Sequence, residues 1–181
     1  MFFEKIVQSV RLLQGVRSIV IGWWDVLLIS EIKDILEPPK PDLEWGDDVI
    51  CQFETFRLRI SESSRLDQTQ ATVCDEAIEQ LIFVYKTSFG PGSDGAPNDQ
   101  AAARHAIRWF ILVPPAYTEL LAQQKPEALV VLGHFAIMLH KLRICWTIGD
   151  AAKQLLLVVE AHLEESWHTL LSWPKSFVED D

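Results

Sequence analysis

The sequence predicts an all-α fold: a single compact helical domain over residues 1–181, with about seven to eight helices around one central apolar helix. Three features carry that expectation. Apolar residues recur at i, i+3 and i+4 in almost every segment, which gathers them on one helix face. Prolines and glycines interrupt those stripes at intervals that leave helices of ordinary length. The stretch Ala128 to Leu139 is apolar nearly all round, the pattern of a helix enclosed by others. No alternation of strand and helix patterns suggests an α/β sheet.

Phe3, Ile6, Val7, Val10 and Leu13 form the first stripe, which resumes after Gly15 through Val16, Ile19, Val20, Trp23 and Leu27. The glycine predicts a bent or broken helical pair, and Glu37-Pro38-Pro39-Lys40-Pro41 stops it. Asp47 or Asp48 is placed to cap a helix striped by Val49, Ile50, Phe53, Phe56 and Ile60. Phe56, Leu58 and Ile60 also alternate as a short strand would, but helix is the reading taken. Beyond the polar stretch Ser61 to Ser64, Cys74, Ala77, Ile78, Leu81, Val84 and Tyr85 mark a long amphipathic helix. Turn-forming residues crowd Gly90 to Asn98, predicting an exposed flexible loop over 88–100.

Asp99 is placed to cap the next helix, whose stripe is Ala102, Ala106, Trp109, Phe110 and Val113. Pro114-Pro115 ends it ahead of a short helical turn around Tyr117, Leu120 and Leu121. Pro126 suits the first position of the central helix, and His140, Lys141 and Arg143 suit the negative end of its dipole. Asp150 is placed to cap the last amphipathic helix, with Ala152, Leu155, Leu156, Val159, Leu163, Trp167 and Leu170 inward and Trp173-Pro174 closing it.

Composition narrows the function classes. The 26 acidic residues outnumber the 16 basic ones, for a formal charge of -10, and no run concentrates Lys and Arg. Direct nucleic-acid binding is therefore not expected. Cys51, Cys74 and Cys145 are widely spaced with no C-x-x-C pair, so neither a disulfide framework nor a zinc site is readable. They are expected to be reduced, in an intracellular protein. Met1-Phe2-Phe3-Glu4-Lys5 does not open a cleavable secretory pattern. The longest apolar stretch falls short of the ~20 residues of a membrane span, so a soluble chain is expected.

No catalytic, metal or cofactor motif stands out. Glu165 and His168 form an E-x-x-H pair, which at a di-metal site needs a second such pair; the plain reading is an exposed helix face. Asp47-Asp48 lacks the third acid of an aspartate-rich diphosphate motif and reads as a cap. There is no G-x-S-x-G elbow, and Gly90-Pro91-Gly92 lacks the Lys-Ser/Thr of a phosphate loop. His134 stands in the apolar helix, where an imidazole needs a partner for at least one ring nitrogen. It reads first as a satisfied core histidine and second as a ligand contact. Trp109, Trp146, Trp167 and Trp173 either pack as core or line an apolar cavity.

Several words in order carry a family resemblance. They are Trp109-Phe110-Ile111-Leu112-Val113-Pro114, Tyr117-Thr118-Glu119-Leu120-Leu121, the run from Lys125-Pro126-Glu127-Ala128-Leu129 through Gly133-His134-Phe135-Ala136, and Ser172-Trp173-Pro174. Leu12-Leu13-Gln14-Gly15-Val16-Arg17 adds an N-terminal match, with Gln14 where the family usually has Arg. Together they resemble the C-terminal regulatory domain of fungal zinc-cluster transcription factors, particularly the sterol uptake control branch. The acidic middle and the glycine-rich loop match least. Members normally begin with a module of six cysteines holding two zinc ions, a pattern these 181 residues lack.

The resemblance implies an all-helical module in the nucleus or cytoplasm that binds a hydrophobic, sterol-like molecule and couples occupancy to dimerisation or to other regulators. No cofactor is expected from the residues themselves. The matched words are framework words and assign no contact residues; read from the sequence itself, the candidate ligand pocket is Trp109, Phe110, His134, Phe135, Met138, Trp146 and Trp167. Two rivals stay open: a helical enzyme or binding protein of fungal secondary metabolism acting on a terpenoid or polyketide, and a dimerisation scaffold or truncated regulator.

Overall fold

A computed structural model describes residues 2–22, 48–61, 66–89, 108–143 and 148–179, with the side chains of the first helix placed from Glu4 to Gly15. The helices in chain order are α1 (Phe2–Gly22), α2 (Asp48–Ser61), α3 (Gln68–Phe89), α4 (Pro115–Ala122), α5 (Pro126–Lys141), α6 (Ala151–Ala161), α7 (Glu165–His168) and α8 (Ser172–Glu179). Residues 108–112 are helical as well, and a 3-10 turn, Thr169–Leu171, joins α7 to α8. The described residues contain no strand, so the fold is all-α. The ambiguous stretch around Phe56 to Ile60 is helical, with Val49, Ile50, Phe53, Phe56 and Ile60 on its buried face.

α5 is the centre. Every residue from Glu127 to Met138 is buried, and α5 packs on α6, α8, α3, α4 and the 3-10 turn. Pro126 stands at its first turn, where a missing N–H leaves no helical bond unmade. The preceding link reverses the chain tightly. Lys125 N–H donates to Leu120 O (3.0 Å) and Gln124 N–H to Leu121 O (2.9 Å), the paired bonds of a Schellman end, with Gln124 at φ 54°. Tyr117 on α4 donates its hydroxyl to Ala128 O (2.9 Å) and so pins α4 to the start of α5.

Around this centre, α2 packs on α3 and α1 on α4. Arg57 reaches Asp75 as a two-pronged fork, Nε to Oδ1 at 2.6 Å and Nη2 to Oδ2 at 2.7 Å, the geometry that makes guanidinium–carboxylate pairs specific. That fork holds the Asp75 carboxyl below its ordinary range. α3 begins earlier than the apolar stripe suggests, at a reciprocal cap: Gln70 N–H donates to Asp67 Oδ1 (2.8 Å) and Asp67 N–H to Gln70 Oε1 (3.4 Å).

Five expectations are corrected. The helix does not break at Gly15, since α1 is continuous through it. The glycine costs only its helix propensity, ~1 kcal/mol. Val7 and Val10 are buried, and Gln14 Nε2 donates to Thr118 Oγ1 (2.8 Å) and Val113 O (3.3 Å), which seats the helix just ahead of the glycine. The last amphipathic pattern is not one helix. α6 ends at Ala161, where His162 and Leu163 turn back in tightened bonds to Val159 O and Glu160 O. Trp173-Pro174 opens α8 instead of closing a helix, with the proline in a first turn that has donors to spare. Asp150 does occupy the N-cap position of α6 but makes no side-chain cap bond. The helical stop at Glu37 to Pro41, the caps at Asp47 and Asp99 and the loop from residue 90 onward lie outside the described residues; 88–89 belong to α3.

The break after α6 brings Leu171 onto α5 at Gly133, where an added Cβ would lie 2.6 Å from Leu171 Cδ2 and 3.5 Å from Val159 Cγ1. A Cβ at exposed Gly15 would meet nothing within 4 Å. Gly15→Ala should therefore stabilise by up to about 1 kcal/mol. Gly133→Ala should destabilise by about 1–3 kcal/mol through overpacking against buried Leu171. Thermal melts of the two variants check this, and a rise in both would remove the close α5 contact.

Candidate functional site

Consecutive residues on a helix lie about 100° apart, and on α5 that rotation separates two aromatic groups. Phe135 stacks on Trp109 (ring centroids 5.0 Å, 17°) and meets Phe110 edge-on (4.7 Å). Tyr117 closes the far side of Trp109 at 5.7 Å. Trp109 is fully buried, and its indole N–H donates to Ala77 O of α3 (2.9 Å). This group is filled by its own rings, with its polar atom satisfied.

His134 faces the other way. Its imidazole stacks on Phe56 of α2 (3.7 Å, 11°) and lies near Phe53 (6.3 Å) and Trp173 of α8 (5.8 Å). The residue is only 2% exposed, and Nδ1 is 2.9 Å from Val130 O. A carbonyl can only accept, so Nδ1 carries the proton and Nε2 a lone pair. Burial lowers the His134 pKa to about 4, which keeps the ring neutral near pH 7. A crevice of about 160 Å³ is lined by buried His134 and Phe56, half-buried Trp173 and, toward solvent, exposed Gln52, Arg59 and Ser172.

Of the residues singled out from the sequence, the structure thus brings Trp109, Phe110 and Phe135 together and sets His134 against a separate group. Met138 is fully buried within α5, Trp167 is buried on α7, and Trp146 lies outside the described residues. Sequence reasoning did not find Phe56 or Arg59 as neighbours of His134. Their apolar and helical periodicity was plain, but no local signal connects α2 to a residue in α5. Trp173 was noted only as one tryptophan among several.

Other polar groups are held structurally. Cys74 is buried and its thiol pKa is pushed up to about 12 by burial, with the Glu127 carboxylate adding to the effect. Burial raises the Tyr117 hydroxyl as well. Glu165 is exposed on α7, and its sequence partner His168 turns toward Glu160 Oε1 (3.6 Å), which also takes Lys175 Nζ (2.7 Å). No cluster of three or more His, Cys, Asp or Glu able to hold a metal occurs among the described residues. No described helix is long and apolar enough to cross a membrane. A second, more apolar depression of about 610 Å³ runs along α1, lined by Lys5, Ile6, Ser9, Val10, Leu12, Leu13 and Phe110.

The buried imidazole makes stability depend on pH. Between its folded value of about 4 and its ordinary value of 6.5, the unfolded chain binds a proton that the folded chain refuses, so stability rises with pH across that window. The His134 share should be about 3 kcal/mol, fully lost below pH 4. Urea titrations of wild type and His134→Phe from pH 4 to 7 check this. The phenyl variant should show the shallower slope, and parallel slopes would show that His134 does not titrate there.

The chain is similar to a Zn(2)-C6 fungal-type transcription factor of Gibberella zeae, 24% identical over 175 residues. The match covers 89% of this chain and 32% of the relative, so the chain spans about a third of that protein's length. No family model and no solved structure matches. The similarity therefore runs along most of this all-α chain but takes in only part of that factor.

Proposed function

We propose that the chain is a non-enzymatic regulatory domain that senses a hydrophobic, sterol-like small molecule and passes its state to a partner regulator in the nucleus or cytoplasm. The observation that carries this reading is the similarity to the Gibberella zeae factor across 89% of the chain. Physical chemistry supports the division of labour. A domain with a formal charge of -10 repels phosphate backbones, so it acts on transcription through ligands and proteins, not through DNA.

The apolar depression along α1 favours interaction with a protein as a second reading. Leu12 is 74% exposed beside it, and exposed apolar patches mark contact surfaces. A dimerisation scaffold would use such a face.

A thermal-shift series against sterols, terpenoids and fatty acids, paired with a reporter driven by this chain fused to a heterologous DNA-binding domain, tests the proposal. A sensed ligand at a hundred times its dissociation constant should stabilise by about 2.7 kcal/mol, and the same compound should change reporter output. A folded protein that gives neither response sinks the sensor reading. Self-association abolished by Leu12→Glu would then favour the scaffold.

A further inference from the structure

The crevice over His134 combines three properties. First, it contains an unused acceptor in an otherwise buried side chain: no described residue hydrogen-bonds His134 Nε2, while Nδ1 is committed to Val130 O. The lone pair of a neutral imidazole asks for an O–H or N–H donor. Second, aromatic rings adjoin the imidazole: Phe56 stacks on it at 3.7 Å and Trp173 lies tilted beside it at 5.8 Å. The volume of about 160 Å³ matches that of a cavity known to take one benzene ring, about 150 Å³. Third, Arg59 stands at the rim and is exposed. Unlike Arg57, whose fork is spent on Asp75, it makes no ion pair among the described residues.

We propose that this crevice binds a small single-ring phenolic acid, its hydroxyl donating to His134 Nε2, its ring lying against Phe56 and Trp173, and its carboxylate meeting Arg59 at the mouth. The polar rim groups Gln52 and Ser172 border the same opening. The volume is too small for the four fused rings of a sterol, so the site is distinct from any sterol-like pocket. It stands whether or not the chain is a regulator.

Titration of the full chain with 3- and 4-hydroxybenzoate, followed by calorimetry and Trp fluorescence, tests the assignment with benzoate and phenol as comparators. At least one hydroxybenzoate should bind saturably, with benzoate about tenfold weaker for want of the donated hydrogen bond. His134→Phe keeps the ring stacked on Phe56 and should erase that hydroxyl preference. Arg59→Gln should weaken the hydroxybenzoate about threefold and leave phenol unchanged. Because Arg59 is exposed, this second variant decides the matter even if His134→Phe fails to fold. Equal binding of benzoate and hydroxybenzoate to wild type, a hydroxyl preference surviving in His134→Phe, or no binding at millimolar concentration overturns the proposal. A sterol-induced thermal shift without hydroxybenzoate binding overturns it while leaving the sensor reading intact.

Discussion

The structure depends on one constraint: α5, sixteen residues long, has no polar face. A helix of this kind is stable only where other elements take all of its circumference out of water, each fully covered Leu, Val or Phe contributing about 1.5–3 kcal/mol. The order of the other helices follows from that demand. α3, α4, α6, α8 and the 3-10 turn all contact it. The break after α6 is part of the same solution, because it turns Leu171 onto Gly133. Here the missing side chain permits close approach, whereas at Gly15 it marks no close approach at all.

An enclosed helix also sets strict terms for any polar group it carries. Glu127, His134 and His140 are all buried on α5. For His134 the terms are visible atom by atom: one ring nitrogen is absorbed by the helix's own carbonyl, Phe56 stacks on the ring, and the charge is refused. Neutrality matters because a buried imidazolium without a carboxylate would cost several kcal/mol. The same enclosure that lowers its basicity also directs its second nitrogen toward the crevice.

Periodicity made the helices and the central position of α5 legible, since those depend on which residues share a face within a dozen positions. It failed where tertiary contacts decide. Gly15 looked like a break because its propensity is local, while the bonds of Gln14 to Thr118 and Val113 are made about a hundred residues away. The stripe from Ala152 to Leu170 looked like one helix because the apolar spacing persists across a turn that changes its direction. Asp67 and Gln70 did spell a capping box, a signal that was present and passed over in favour of the apolar stripe. The candidate site divided in the same way. His134 was legible as an anomaly in an apolar run, but Trp109, Phe110 and Phe135 were expected to share one pocket with it and with Met138, Trp146 and Trp167. That His134 and Phe135, adjacent in sequence, serve different groups follows only from which helices cover each side.

How occupancy of a site on such a fold could be read by another protein is a question of which wall can respond. A ligand shifts a conformational equilibrium only by its differential affinity for the two states, so a pocket sealed inside α5 and its close neighbours has little to report. The crevice differs in that α2 supplies Phe56 and Arg59 to it. α2 is tied to α3 by the Arg57–Asp75 fork and to α8 by the edge-on contact of Phe53 with Trp173 at 5.4 Å. A molecule bridging α2 and α8 over His134 adds contacts that exist only while those two helices keep their present spacing. Occupancy would therefore favour this placement of α2 over any other, because α2 is held by one buried face, the Arg57–Asp75 fork and the Phe53–Trp173 contact, not by enclosure all round.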